Sequence, residues 1–181
     1  MNLDSEFRGL PVEEAVFYAR LGLQLELFTM ADISDWVDEV LLREESPDSF
    51  FLEFYRVLHT SKPEVPAYLK NLFPGAFFSV RPAVGWLHRQ FTTNTWPLSQ
   101  LIRSLYRLRT LVRADTEVGW IYGLAADYDR AVATGPELML EVEQETEAFL
   151  ACYQDYTFGN RPYWRSLDVL LEQRLANLRY E

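Results

Sequence analysis

The chain has 181 residues, 49% apolar and 15% aromatic, with a formal charge of −10. That length and apolar content allow one sizeable core without staples. The composition excludes a disulfide scaffold, because Cys152 is the only cysteine, and a net acidic chain is a poor ligand for nucleic acid, whose phosphates call for a basic surface.

The charge is also unevenly spread. Residues 1 to 60 carry 13 acids and 4 bases, residues 61 to 113 one acid and eight bases, and residues 114 to 157 ten acids and one base. The first expectation is internal complementarity, a basic middle packed among acidic flanks, with an external partner second. The opening MNLDSEF has no basic and apolar leader pattern, and no apolar run reaches the roughly 20 residues of a membrane helix. Together with one free thiol this predicts a cytoplasmic protein that does not engage membranes.

In chain order, Pro11 to Leu25 reads as a helix with Val12, Ala15, Val16, Ala19 and Leu23 as its buried stripe, widened by Phe17 and Tyr18. Leu21, Leu23, Leu25 and Leu27 alternate as a strand would, yet the stretch is read as helical. Thr29 and Asp32 resemble a capping box, and Ile33, Trp36, Val37, Val40 and Leu41 share one face of the helix that follows. Ser46-Pro47-Asp48 predicts a new start with a serine cap, and Phe51, Phe54, Tyr55 and Leu58 form an aromatic stripe against the previous helix.

Four prolines, Pro63, Pro66, Pro74 and Pro82, punctuate the least regular segment, from His59 to Pro82. Short helices are expected from Pro66 to Leu72 and from Arg81 or Pro82 to Phe91, and the rings of Phe73 to Phe78 are expected to cap the core. Asn94 or Thr95 caps the next helix, whose stripe is Leu98, Leu101, Ile102, Leu105, Leu108 and Val112. Asp115-Thr-Glu117 opens another, with Val118, Ile121, Tyr122, Ala125 and Val132 as its apolar positions. Gly135-Pro136 divides it from a helix running to about Phe158, and Pro162 starts the last, with Leu167, Leu170, Leu171, Leu175 and Leu178. The fold class is therefore all-α: a single-domain bundle over residues 1–181, of about seven longer helices plus one or two short ones.

Catalytic signatures are not legible. His59 and His88 lack partners at metal or nucleophile spacing, no phosphate-cradling glycine loop or nucleophile elbow occurs, and Cys152 reads as a small core residue. No residue is assigned a catalytic role. One departure from clean patterning is acidic. On a helical wheel Glu145 falls within the face of Leu138, Val142, Phe149, Tyr153 and Tyr156, with Glu141 at its flank, and the Gly135 turn brings Asp129 to a similar level. Asp129, Glu141 and Glu145 are thus candidate Mg²⁺ ligands for hydrolysis of nucleotides or phosphate esters. The favoured alternative pairs them with Arg103, Arg107, Arg109 and Arg113 of the basic helix and needs no cofactor.

The segments Ala19-Arg-Leu-Gly-Leu23 and Met30-Ala-Asp-Ile-Ser-Asp-Trp-Val-Asp38, with the acidic stretch around Pro47, resemble the start of small helical bacterial proteins related to toxin-immunity proteins. The likeness covers the first third of the chain and transfers no functional residue. It implies a non-enzymatic cytoplasmic protein that binds another protein, and an acidic surface suits a basic partner. The acids expected to face that partner are Asp35, Asp38 and Glu39 on the first hairpin, or Glu143 and Glu147 on the long acidic helix. A second class, the cytoplasmic chaperones of redox-enzyme subunits, fits in size and acidity, but its Asp-His signature is absent at Ser46-Pro-Asp-Ser-Phe-Phe51.

Overall fold

A computed structural model describes residues 2–75 and 77–178, and every described element is helical. Nine helices of eight or more residues and one of five, α1 to α10, make up the all-α bundle expected; the two short helices of the punctuated middle are present as α5 and α6, and only α1 is additional. None of them is long and apolar enough to cross a membrane. Their contacts fall into two compact units, residues 1–78 and 79–181.

The first unit holds α1 (Leu3–Phe7), α2 (Val12–Gln24), α3 (Met30–Arg43), α4 (Ser49–Thr60) and α5 (Val65–Leu72), with a 3-10 turn over Lys62–Glu64. Helix α2 is its interior rod, buried without interruption from Glu14 to Ala19, and it packs on α5. It ends at Gln24, short of Leu25. The chain then turns so that the Phe28 ring lies where a Cβ on Gly22 would stand, 2.1 Å from its nearest ring atom. Any side chain at position 22 would expel that ring, which is why a glycine interrupts the leucine run.

The expected capping box of α3 is complete. Thr29 Oγ1 accepts from the Asp32 N–H at 3.2 Å, and Asp32 Oδ2 accepts from the Thr29 N–H at 2.7 Å. Burial works against the Asp32 carboxylate, but the Thr29 hydroxyl and N–H outweigh it and hold its pKa below the usual value. Ile33, Trp36, Val37 and Val40 are buried, Leu41 only half. Helix α4 starts later than expected. Its cap is Asp48, which accepts from the Phe50 N–H at 2.9 Å, and not Ser46. The shift rotates Phe50 into the core beside Phe51, Phe54 and Leu58 and leaves Tyr55 exposed. Helix α1, which the sequence reading missed, packs on α3. Asp4 of α1 pairs with Arg8 and Arg43, and these partners overcome its burial and lower its pKa. Phe77 and Phe78 do not sink into the core. They stand 6.3 and 5.5 Å from the Phe17 ring, with Phe77 exposed and Phe78 half-buried.

The second unit holds α6 (Arg81–Thr92), α7 (Leu98–Leu108), α8 (Asp115–Thr134), α9 (Pro136–Ala151) and α10 (Trp164–Asn177), with a 3-10 segment over Phe158–Tyr163. Helices α7, α8 and α9 pack in succession, and α6 lies on α7 and α9. The α7 stripe of Leu101, Ile102, Leu105 and Leu108 is buried as expected. Neither Asn94 nor Thr95 caps it: the N-cap is Pro97, and Asn94 instead takes a left-handed turn with φ +51°. The stripe of α8 is also corrected. Glu117, Ile121, Leu124 and Ala131 are buried, while Tyr122 and Val132 are exposed. Helix α9 stops at Ala151 and not near Phe158, because residues 152–155 turn away and carry Tyr153 and Tyr156 back into the core. That return passes so close to α6 that a Cβ on Gly85 would lie 3.0 Å from the carbonyl oxygens of both Tyr153 and Tyr156. A side chain there would require those carbonyls to give by a few tenths of an ångström, which a glycine avoids. In α10, Leu171 and Leu175 are buried, but Leu170 is exposed.

Candidate functional site

The acidic residues expected to meet a partner on α3 are presented outward. Asp35 and Glu39 are exposed and Asp38 half-buried, because the opposite face of the helix is committed to Ile33, Trp36, Val37 and Val40. Leu42 follows on the same outer face, since 35, 38, 39 and 42 are spaced i, i+3, i+4 and i+7. It is 85% exposed, the most exposed large apolar side chain described. Among the described residues Asp35, Asp38 and Glu39 have no hydrogen-bond or ion-pair partner. Other acids of the same unit behave differently, as Asp4 shows with its two arginines. The result is a bare apolar side chain flanked by uncompensated negative charge.

The second expected set, Glu143 and Glu147, lies one turn apart on the exposed side of α9. Glu147 is close enough to the half-buried His88 to favour its protonated form, but burial dominates and pushes the imidazole pKa down. These two glutamates belong to the second unit and the α3 acids to the first.

Asp129, Glu141 and Glu145 are all exposed. The wheel reading that put Glu145 on the apolar face is incorrect: Thr146 is the buried neighbour, in line with Val142, Phe149 and Leu150. Among the described residues no group of three or more His, Cys, Asp or Glu side chains is arranged to hold a metal ion. The proposed arginine pairing is not observed for these three acids either. Arg109 instead stacks on Tyr106, its guanidinium carbon 3.8 Å from the ring centroid, and Arg103 has no ionic partner.

A constellation that the sequence reading missed joins α6, α8, α10 and the turn after α9. Arg81, in the first turn of α6, donates to Glu117 through Nε at 3.3 Å and Nη2 at 2.9 Å, and pairs with Asp168 of α10. Tyr153 donates to Glu117 Oε1 at 2.8 Å, and Tyr156 donates to Asp168 Oδ1 at 2.8 Å. Burial opposes the charge of Arg81, but Glu117 above all, then Tyr156 and Asp168, hold it firmly protonated. Burial and the Glu117 carboxylate raise the Tyr153 phenol far above its usual pKa. A cavity of about 290 Å³ adjoins Arg81 and Glu117 and is otherwise lined mainly by Leu171, Leu175 and small residues. Since the described polar atoms of this network partner one another, it acts as a tie between four segments. The signal that could have revealed it is Glu117 at i−4 from Ile121, on the stripe that continues through Leu124 and Ala131.

No protein-family model matches the sequence, and no curated protein or solved structure is similar to it.

Proposed function

We propose that the protein is a non-enzymatic protein-binding module that engages a basic partner through the outer face of α3. One observation carries this reading: Leu42 stands almost fully exposed on the same face as Asp35, Asp38 and Glu39, none of which has an ionic partner among the described residues. An apolar anchor surrounded by charge is the pattern of a protein interface. The anchor gains from desolvation at the centre, and the acids steer a partner of opposite sign and fix its register. The surroundings reinforce the field, because residues 1–78 carry fourteen acids against six bases, a balance of −8. The likeness of the first third to toxin-immunity proteins suggests the finer form, an inhibitor that occupies a basic toxin. Glu143 and Glu147 are a weaker second surface, since Glu147 already faces His88.

The hydrolase reading receives no such support, because Asp129, Glu141 and Glu145 stand exposed on two helices without converging. The chaperone reading has no observation in its favour beyond size and acidity.

The test is capture of partners from cells by the tagged chain and by three surface variants. Asp35→Lys with Glu39→Lys should weaken retention of a stoichiometric basic protein by about tenfold or more, as should Leu42→Ser, while Glu143→Lys with Glu147→Lys leaves it near wild type. Equal retention by all variants, with unchanged helical content, would overturn the assignment to α3.

A further inference from the structure

A groove of about 480 Å³ runs between α7 and α8 in the second unit, and its walls differ in charge. The α7 wall presents Arg103 and Tyr106, and the α8 wall presents Tyr122, Ala126 and Asp129. Tyr106, with Arg109 stacked on its ring, and Tyr122 are 38% and 49% exposed and meet edge to face at 5.7 Å, so two large rings form the lip of the groove. Val132 extends the α8 side, 62% exposed. Arg103 and Asp129 line the same groove, yet neither has a hydrogen-bond or ion-pair partner among the described residues. Around Gly123, which shares the exposed side of α8, a Cβ would meet nothing within 4 Å, so the backbone there is open to close approach.

We propose that this groove is a self-association surface whose occupant is a second copy of the chain. The charge pattern selects that occupant. A free cation on one wall and a free anion on the other are self-complementary. A two-fold axis that lays the α7 wall of each copy over the α8 wall of the other sets Arg103 opposite the second copy's Asp129, and forms the reciprocal pair at the same time. A partner uniformly of one sign would satisfy one charge and be repelled by the other.

Two antiparallel pairs meeting in this way make a four-helix bundle, the natural packing for an amphipathic helix pair with an exposed face. The dimensions suit a weak dimer. Eleven residues of α7 span about 16 Å and twenty of α8 about 30 Å, each about 10 Å wide, giving about 460 Å² per copy, the size of a contact that dissociates on dilution. The balance of charge permits it too, since residues 79–181 carry thirteen acids and eleven bases, only −2.

The experiment is sedimentation of the full chain over a range of micromolar concentrations at low salt. Wild type should sediment as a dimer that dissociates on dilution. Arg103→Glu and Asp129→Arg should each be monomeric at concentrations where wild type is paired, with unchanged helical content because both positions are exposed. An equimolar mixture of the two variants should recover the dimer, since the exchanged charges then face their opposites across the axis. Tyr122→Ser tests the apolar part and should also shift the population to monomer. A wild-type chain that is monomeric throughout, variants that remain dimeric, or a mixture that stays monomeric would each overturn the proposal. Loss of a different protein by Arg103→Glu from a monomeric wild type would assign the groove to that partner and overturn it equally.

Discussion

Arg81 shows how much one side chain can govern. It is the only cation hydrogen-bonded to the buried Glu117 among the described pairs, and its head group also reaches Asp168. Removing it leaves Glu117 charged in the interior with the Tyr153 hydroxyl for company. Arg81→Met should therefore cost about 3–5 kcal/mol in urea unfolding, whereas Arg81→Met combined with Glu117→Leu should recover most of that loss, because a buried pair replaced by apolar groups is close to neutral. A loss under about 1 kcal/mol for the single variant would mean that water reaches the carboxylate freely. This residue pair was beyond the sequence reading for a physical reason. An acid in the first turn of a helix is stabilised by the helix dipole wherever it points, so Glu117 looked accounted for and its place on the buried stripe went unnoticed. The acids of α3 were legible because Trp36 and its neighbours define the inner face so clearly that the outer face follows.

At the scale of elements, some start signals read correctly, while those at Ser46 and Asn94 did not. Thr29 and Asp32 gave the beginning of α3, since a capping box needs two particular side chains three residues apart. Pro136 likewise opens α9. The end of α9 was misplaced by seven residues because Tyr153 and Tyr156 continue an apolar rhythm after the backbone has left the helix. What the periodicity detected was burial, and the same burial can be reached by a turn. The close passage of that turn over α6 makes a prediction. Alanine is favoured over glycine within a helix by about 1 kcal/mol, but at position 85 the added methyl meets two backbone carbonyls that cannot rotate away. Overpacking of this kind costs about 1–3 kcal/mol, so Gly85→Ala should be a net destabiliser of the second unit in thermal or urea unfolding. A more stable variant would show that the turn is free to shift.

For the whole molecule, charge and ionisation differ between the two units. In the second, His88 has a folded pKa below the ordinary imidazole value of 6.5, because burial penalises the imidazolium more than Glu147 favours it. The folded state thus binds this proton less readily than the unfolded chain, so stability is full above about 6.5 and falls as the pH drops through the unfolded and then the folded value. His88→Gln should flatten the decline in Tm between pH 7.5 and pH 5, and an unchanged decline would place its origin elsewhere. In the first unit Asp4 and Asp32 have lowered pKa values, so their contribution is full above about 3.8, the ordinary carboxyl value, and is lost as the pH falls from there toward the lowered values. The helical class was legible throughout because 3.6-residue periodicity survives local errors of register, whereas the groove of α7 and α8 was not, since Tyr122 and Val132 had been spent on the core. The most direct test of the α3 account is the affinity of the captured partner for the wild-type chain, measured as a function of ionic strength. Binding that weakens steeply as salt rises, with a slope reduced by Asp35→Lys and Glu39→Lys, is the predicted result. Retention of a partner with no salt dependence would contradict it.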